Sequence, residues 1–182
     1  MNHPPFLEHN GKQYTLNHLE DTQIELTLQA HKTNPELELT IQLSYTNHCY
    51  TQGTTENSEP HDMEDHNGWP RWFNLERYET SLLLPEFVKQ IHKKKCLFTG
   101  KQNWLVIELK ESSGISVPFY LVFSLWNNKE VENGLHLNIV SAYKKTEGDN
   151  APHRGGSMDR VAFAMLARKT LEGKSVKRPR RR

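Results

Sequence analysis

Between Thr22 and Tyr45 the chain alternates apolar and polar residues twice over. In the first run Ile24, Leu26 and Leu28 take every second position, with Glu25, Thr27 and Gln29 between or after them. In the second, Leu37, Leu39, Ile41, Leu43 and Tyr45 alternate with Glu38, Thr40, Gln42 and Ser44. A period of two sends each set to its own side of a pleated strand, which no helix reproduces. Asn34-Pro35 separates the runs and marks a turn. The pattern predicts an antiparallel pair with one face in a core and one in water.

The remaining elements follow from different signals. Pro85 suits a first helical turn, Glu86 its positive end and Lys93 to Lys95 its negative end, with Phe87, Val88 and Ile91 as the buried side. Trp104–Leu109 and Phe119–Trp126 are nearly continuous apolar runs, expected as central strands covered on both faces. In the last strand Leu135, Leu137, Ile139, Ser141 and Tyr143 share a face. Asn127-Asn128 and Asn133-Gly134 bracket the hairpin loop before it. A final helix is expected from an N-cap at Ser157 to a stop at Gly173, packing Val161, Ala164, Met165 and Arg168 on the sheet.

These pieces make a single α+β domain of about five mainly antiparallel strands and two or three helices. It spans residues 13–173, after a flexible arm at 1–12 broken by Pro4-Pro5 and Asn10-Gly11. Residues 51–68 form a long polar loop without apolar period. Residues 174–182 are a basic tail with six positive charges; without them seventeen basic groups face twenty-two acidic ones. An acidic body with a basic end points to phosphate-bearing partners or to a solvated terminus. No apolar run is long enough for a membrane span, and Met1 to Asn10 lacks the pattern of a secretory signal. With only Cys49 and Cys96 a disulfide framework is not expected, so the cytoplasm is the expected location.

Three stretches carry groups capable of chemistry. Asn47 to Thr51 ends the second alternating strand with His48, Cys49, Tyr50 and Thr51, and the imidazole is suited to general acid or base work near neutral pH. Arg77, Tyr78 and Ser81 come next, with Arg77 and Ser81 on one helical face, where a guanidinium clamps phosphate well. Ser141, Tyr143 and Lys144 close the last strand, offering an aromatic ring and a cation. The segment His61 to His66 is rich in metal-ligand types but matches neither a zinc-finger nor a metalloprotease spacing. No metal and no cofactor are therefore expected. Cys49 has no electropositive setting that its sequence neighbours establish, so it is not assigned as a nucleophile.

The order Tyr14-x-Leu16-x-His18-Leu19, His48-Cys49-Tyr50-Thr51, Glu76-Arg77-Tyr78-x-x-Ser81-x-x-Leu84-Pro85, Cys96-x-x-Thr99 and Ser141-Ala142-Tyr143 resembles a family of small bacterial proteins of plasmids, integrative elements and prophages. Some of those are labelled stationary-phase adaptation proteins. The resemblance covers about residues 14–145. Its ending is also similar to phage-associated members of the barnase/EndoU/colicin/RelE-like ribonuclease fold, although here the alternating strands precede the helix. That resemblance implies a metal-independent ribonuclease-like toxin or effector of a mobile genetic element. A ribose 2′-hydroxyl would attack the adjacent phosphate, with His48, Arg77, Tyr143 and Lys144 catalytic. Thr51, Tyr78, Ser81, Thr99 and Ser141 would bind substrate. RNA and a host or cognate inhibitor protein are the implied partners. The alternative is a non-enzymatic interaction protein of a mobile element that binds a host protein or nucleic acid through Trp69–Phe73, the acidic loop and the basic tail. A third class, a metal-dependent hydrolase, would use the His61–His66 loop.

Overall fold

A computed structural model describes residues 3–31, 33–53, 62–98, 104–110, 116–144 and 160–176. It begins with a hairpin where an arm was expected: β1 (Phe6–His9) pairs with β2 (Lys12–Thr15), and Asn10 and Gly11 both hold positive φ, 51° and 70°. Asn-Gly is the two-residue turn whose twist matches two antiparallel strands. Leu7 and Tyr14 carry the hairpin onto the core, and Leu16 and Leu19 follow it as wholly buried side chains around a 3-10 turn at Asn17–Leu19.

The alternating runs are β3 (Thr22–Leu28) and β4 (Leu37–Tyr45), paired antiparallel from Thr22↔Leu43 to Leu28↔Leu37. After β5 (Thr51–Gln52), β6 (Met63–Glu64) and β7 (Pro70–Phe73) come two short helices, α1 (Leu75–Ser81) and α2 (Leu84–Lys89). The helix expected to run on to Lys95 stops at Lys89. Ile91–Lys93 tighten into a 3-10 turn, and β8 (Lys95–Phe98) starts at once. Phe87, Val88 and Ile91 are buried, as the apolar spacing predicts. β9 (Trp104–Lys110), β10 (Ser116–Asn128), β11 (Gly134–Lys144), β12 (Arg160–Ala162) and α3 (Phe163–Leu171) complete the chain.

Seven strands form the main sheet in the order β12-β8-β9-β10-β11-β4-β3. The α+β class stands, with more strands than the five that periodicity reveals. Every pairing in it is antiparallel except β11 with β4, which run parallel from Gly134↔Thr40 to Ile139↔Tyr45. β5, β6 and β7 make a separate small sheet.

One face of the main sheet is the core. Leu26, Leu39, Ile41, Leu43, Leu121, Phe123, Leu135, Leu137 and Ile139 are buried there, with Leu84, Phe87, Val88, Phe163, Leu166 and Ala167 from the helices. Phe123 meets Phe163 at 6.0 Å and Phe87 meets Phe119 at 6.3 Å between ring centroids. Each such side chain contributes about 1.5–3 kcal/mol by leaving water.

The other face is only partly covered. Among the even positions of β10, Tyr120 is buried, Val122 and Ser124 are half-buried and Trp126 is 45% exposed, so this strand is not covered on both faces along its length. On the C-terminal helix the phase is set by Phe163 rather than Val161. Val161 belongs to β12, paired with Cys96, while Met165 faces water and Phe163, Leu166 and Ala167 face the core. The expected cap Ser157 lies outside the described residues.

Candidate functional site

β4 ends at Tyr45 while its neighbour β11 continues to Lys144. Thr46 manages the transition. Its N–H donates to the Ile139 carbonyl (3.0 Å) and its hydroxyl to the Val140 carbonyl (2.6 Å). The same hydroxyl oxygen accepts the His48 N–H at 3.2 Å and so caps a 3-10 turn, Asn47–Cys49. The strand does not persist past Thr46, yet the sidedness expected of it survives in the turn: Asn47 and Cys49 are buried and His48 is half-exposed. α1 then lies against β11 and this turn, in the space beyond the end of β4.

His48 Nε2 lies 3.0 Å from Asp65 Oδ2. The carboxylate is fixed from its other side, because Oδ1 accepts the N–H groups of Asn67 (2.8 Å) and Trp69 (3.0 Å). Asp65-His66-Asn67-Gly68 is thus the β6–β7 turn wound around one carboxylate. The Asp65 side chain is only 6% exposed. Its desolvation works to raise the pKa, but the Trp69 and Asn67 N–H groups and then His48 hold it below the ordinary carboxylate value. Asp62, three residues earlier, spends its carboxylate on the Phe73 N–H at 2.6 Å.

Two guanidinium groups meet at Thr51. Arg71, 9% exposed on β7, donates from Nε to the Thr51 hydroxyl (3.1 Å) and from Nη2 to the Thr51 carbonyl (2.9 Å). Arg77 follows the helix cap Asn74, whose side chain accepts the Arg77 N–H. Its Nη1 donates to the carbonyls of His48 and Thr51, both at 3.1 Å. The Arg77 guanidinium carbon stands 4.9 Å from the centre of the Tyr143 ring, a cation–π contact.

Burial lowers the pKa of His48 first, and Arg71 lowers it further. Asp65 acts in the raising direction through its hydrogen bond and charge, and Arg77 lowers it again. The lowering side wins, so at neutral pH the pair is a neutral imidazole donating Nε2–H to a carboxylate. Nδ1 then carries the lone pair. An oriented neutral imidazole beside two cations is equipped to take a proton from a group whose attack develops negative charge.

The structure brings together His48, Thr51, Arg77 and Tyr143 from the residues expected, and adds Asp65 and Arg71. Thr51 is not placed to bind substrate: it is wholly buried, its hydroxyl donates to the Asn47 carbonyl (2.6 Å), and its oxygens receive both arginines. Ser81 is likewise buried. Its hydroxyl donates to the Tyr78 carbonyl (2.6 Å), so the 2.7 Å contact with His18 Nε2 is a ring N–H donating to the serine oxygen. Tyr78 belongs to a cluster with Tyr14, Phe73 and His18 that fastens the N-terminal hairpin to α1. Ser141 pairs with Val122 across the sheet. Lys144 pairs with buried Phe119, so alternation sends it to the opposite side of β11 from Tyr143. Thr99 lies outside the described residues.

Asp65 and Arg71 were legible only in part. Asp-x-Asn-Gly is a turn signature that a reading for metal ligands passes over, and Arg71 sits in an aromatic run with no partner in sequence. Cys49 is fully buried and its thiol is pushed up to about 12, chiefly by desolvation, which leaves it unreactive. Among the described residues no three His, Cys, Asp or Glu side chains cluster as metal ligands do; His61 lies outside them.

Comparison with curated proteins and with solved structures finds no match. A family model does match, over residues 6–171, and by it the chain belongs to the YjaZ family.

Proposed function

We propose that this protein is a metal-independent endoribonuclease. The observation that carries the reading is the hydrogen bond between a neutral His48 and a fixed Asp65, set beside Arg77 and Tyr143. The support is the site's own chemistry; the family match describes ancestry and names no substrate.

In this reading His48 Nδ1 takes the proton of a ribose 2′-hydroxyl while that oxygen attacks the adjacent phosphorus. The bond from phosphorus to the 5′-oxygen breaks, the leaving oxygen takes a proton from solvent, and a 2′,3′-cyclic phosphate remains. Arg77 and Arg71 supply positive potential for the charge that builds on the phosphate oxygens. Tyr143 keeps the Arg77 guanidinium in place through their cation–π contact. The cytoplasm as location, a role as a toxin or effector of a mobile element, and restraint by a cognate inhibitor protein are parts of the same reading. Purified protein should cleave single-stranded RNA in EDTA and leave cyclic phosphate ends. Intact RNA across a wide range of protein concentration, with growth of an overexpressing host unaffected, defeats it.

A second reading rests on a different observation. Arg71 and Arg77 both donate to Thr51 of their own chain, and Trp69, next to the Asp65 turn, is 68% exposed. A loop buttressed in this way and tipped by a tryptophan suits a non-enzymatic contact with a host protein or nucleic acid. Replacing both His48 and Arg77 with alanine separates the two: loss of the phenotype with folding intact belongs to catalysis.

A further inference from the structure

The outward side of α1 departs from the rule that a surface helix shows water its polar residues. Leu75, Leu82 and Leu83 are 48%, 48% and 49% exposed, while Leu84, the next residue, is wholly buried. The backbone stays in the right-handed helical region through Leu82 and Leu83, so the phase of α1 carries past Ser81. Leu75, Glu76, Glu79, Leu82 and Leu83 then share an arc of about 120°, and all five are exposed. Arg77, Tyr78, Thr80 and Ser81 take the rest of the circumference and are buried or half-buried. Leu75 and Leu82 lie two turns apart, about 10 Å along the axis. Single exposed leucines are ordinary, but three gathered on one stripe mark a surface that another element covers.

Charge selects that element. Glu76 and Glu79 sit among the leucines, and neither has an ion-pair partner among the described residues. The one cation of α1, Arg77, is turned inward, with Nη1 on the carbonyls of His48 and Thr51 and the guanidinium over Tyr143. The one cation of α2, Lys89, is held by Glu86 at 2.6 Å. The outward side of α1 is therefore apolar and negative, without a cation of its own. A nucleic acid or an anionic membrane is repelled by such a face. Two copies meeting through it about a two-fold axis would set Glu76 and Glu79 against their own counterparts. The chain's own basic end does not suit it either. After Val176, which packs on the core, the sequence holds only cations and Pro179 and has nothing to lay on leucines. What fits is a segment with apolar residues at the same two-turn spacing and lysine or arginine beside them.

We infer that the outward face of α1 docks a basic amphipathic helix of another protein, its apolar stripe on Leu75, Leu82 and Leu83 and its cations against Glu76 and Glu79. The inference uses neither Trp69 nor the His48–Asp65 pair, and it stands whether or not the protein cleaves RNA. A helix seated here grips the element whose inner side places Arg77 in the site.

The test uses the full-length protein and a fluorescein-labelled, helix-forming synthetic peptide with leucines two turns apart and lysines beside them, read by fluorescence anisotropy. Binding should saturate. Leu75→Ser together with Leu82→Ser should weaken it roughly tenfold or more, with little change in urea midpoint, since both side chains already meet water. Glu76→Lys together with Glu79→Lys should also weaken it, and that protein should instead take up the same peptide with glutamates in place of its lysines. This charge exchange reads the interface even if the serine variant folds poorly. Absence of binding overturns the inference, as does equal binding of a peptide with the same residues scrambled. Indifference to both pairs of substitutions, or tighter binding of the acidic peptide to the parent, overturns it too. Self-association of the chain that Leu75→Ser with Leu82→Ser abolishes makes the occupant a second copy and also overturns it.

Discussion

His48, in the turn after β4, and Asp65, in the β6–β7 turn, lie 3.0 Å apart, and Asn47, the residue before His48, donates its side-chain amide N–H to the Glu64 carbonyl at 2.8 Å, one residue before Asp65. Imidazole and carboxylate are thus cross-braced through adjacent backbone. An imidazole so placed has its tautomer chosen for it, with the proton on Nε2 and the lone pair on Nδ1.

For cleavage, His48→Ala should reduce the rate by about a hundredfold to ten-thousandfold, the range for loss of a general base. Asp65→Asn should reduce it less, because the ring remains but loses its orientation. The pH profile separates base from brace. In the parent, the rate should rise through an inflection below the ordinary 6.5 of histidine and stay flat above it. Asp65 acts to raise the His48 pKa, so Asp65→Asn should move the inflection to lower pH. Rates at fixed substrate between pH 4.5 and 8 check both statements, and an unmoved inflection counts against the assignment of His48.

Arg71 is predicted to matter for stability more than for chemistry. It donates twice to Thr51 in a nearly closed environment. Arg71→Ala should cost roughly 1–3 kcal/mol, the scale for a buried acceptor losing charged donors. Arg71→Lys should not restore it, since an ammonium cannot span the hydroxyl and the carbonyl in a planar fork. Urea denaturation of the three proteins gives the comparison.

The loop before β11 fixes a second prediction for stability. A Cβ on Gly134 would fall 2.7 Å from the Val131 carbonyl oxygen and 2.8 Å from that of Asn128. Neither atom can swing away as a side chain could. Gly134→Ala should therefore destabilise by about 1–3 kcal/mol, with a clear drop in thermal midpoint. Gly173→Ala, where nothing lies within 4 Å of the added atom, should show only the smaller cost of its positive φ.

Stability should also fall on mild acidification. Burial lowers the pKa of His3, His18, His48 and His92 in the folded protein. A histidine depressed in the native state binds fewer protons there than in the unfolded chain, so its contribution is complete above about pH 6.5 and is lost as pH drops through the folded values. Asp65, depressed among carboxylates, adds a loss of the same sign at lower pH. Denaturant midpoints at pH 7.5 and pH 5 should differ, with the lower midpoint in acid.

How far the sequence carried depended on whether a signal was local. The alternation of β3 and β4 needed no distant information, and each expected inward residue from Leu26 to Tyr45 does face the core. Asn10-Gly11 was a local signal too, but its flanks are short and polar, so a turn that makes a hairpin resembled a break in an arm. The parallel seat of β4 on β11 was invisible, because period two is the same in either direction. Asp65 could not be matched with His48 from sequence, since the bond depends on a turn wound around its carboxylate. Thr51 and Ser81 looked like free hydroxyls for the same reason, as nothing in a string of residues shows which donors are already spent.

The parallel pairing of β4 with β11 also sets a schedule. The bonds from Thr46 to Ile139 and Val140, and the seat of Arg77 on Tyr143, need residues made long after β4 leaves the ribosome. At about 5–20 residues per second, the interval is several seconds to some tens of seconds. Throughout that time the nascent chain contains His48 and Asp65 but lacks the strand that gives the Thr46 turn its footing. Whatever chemistry the finished site performs must wait until β11 has been made.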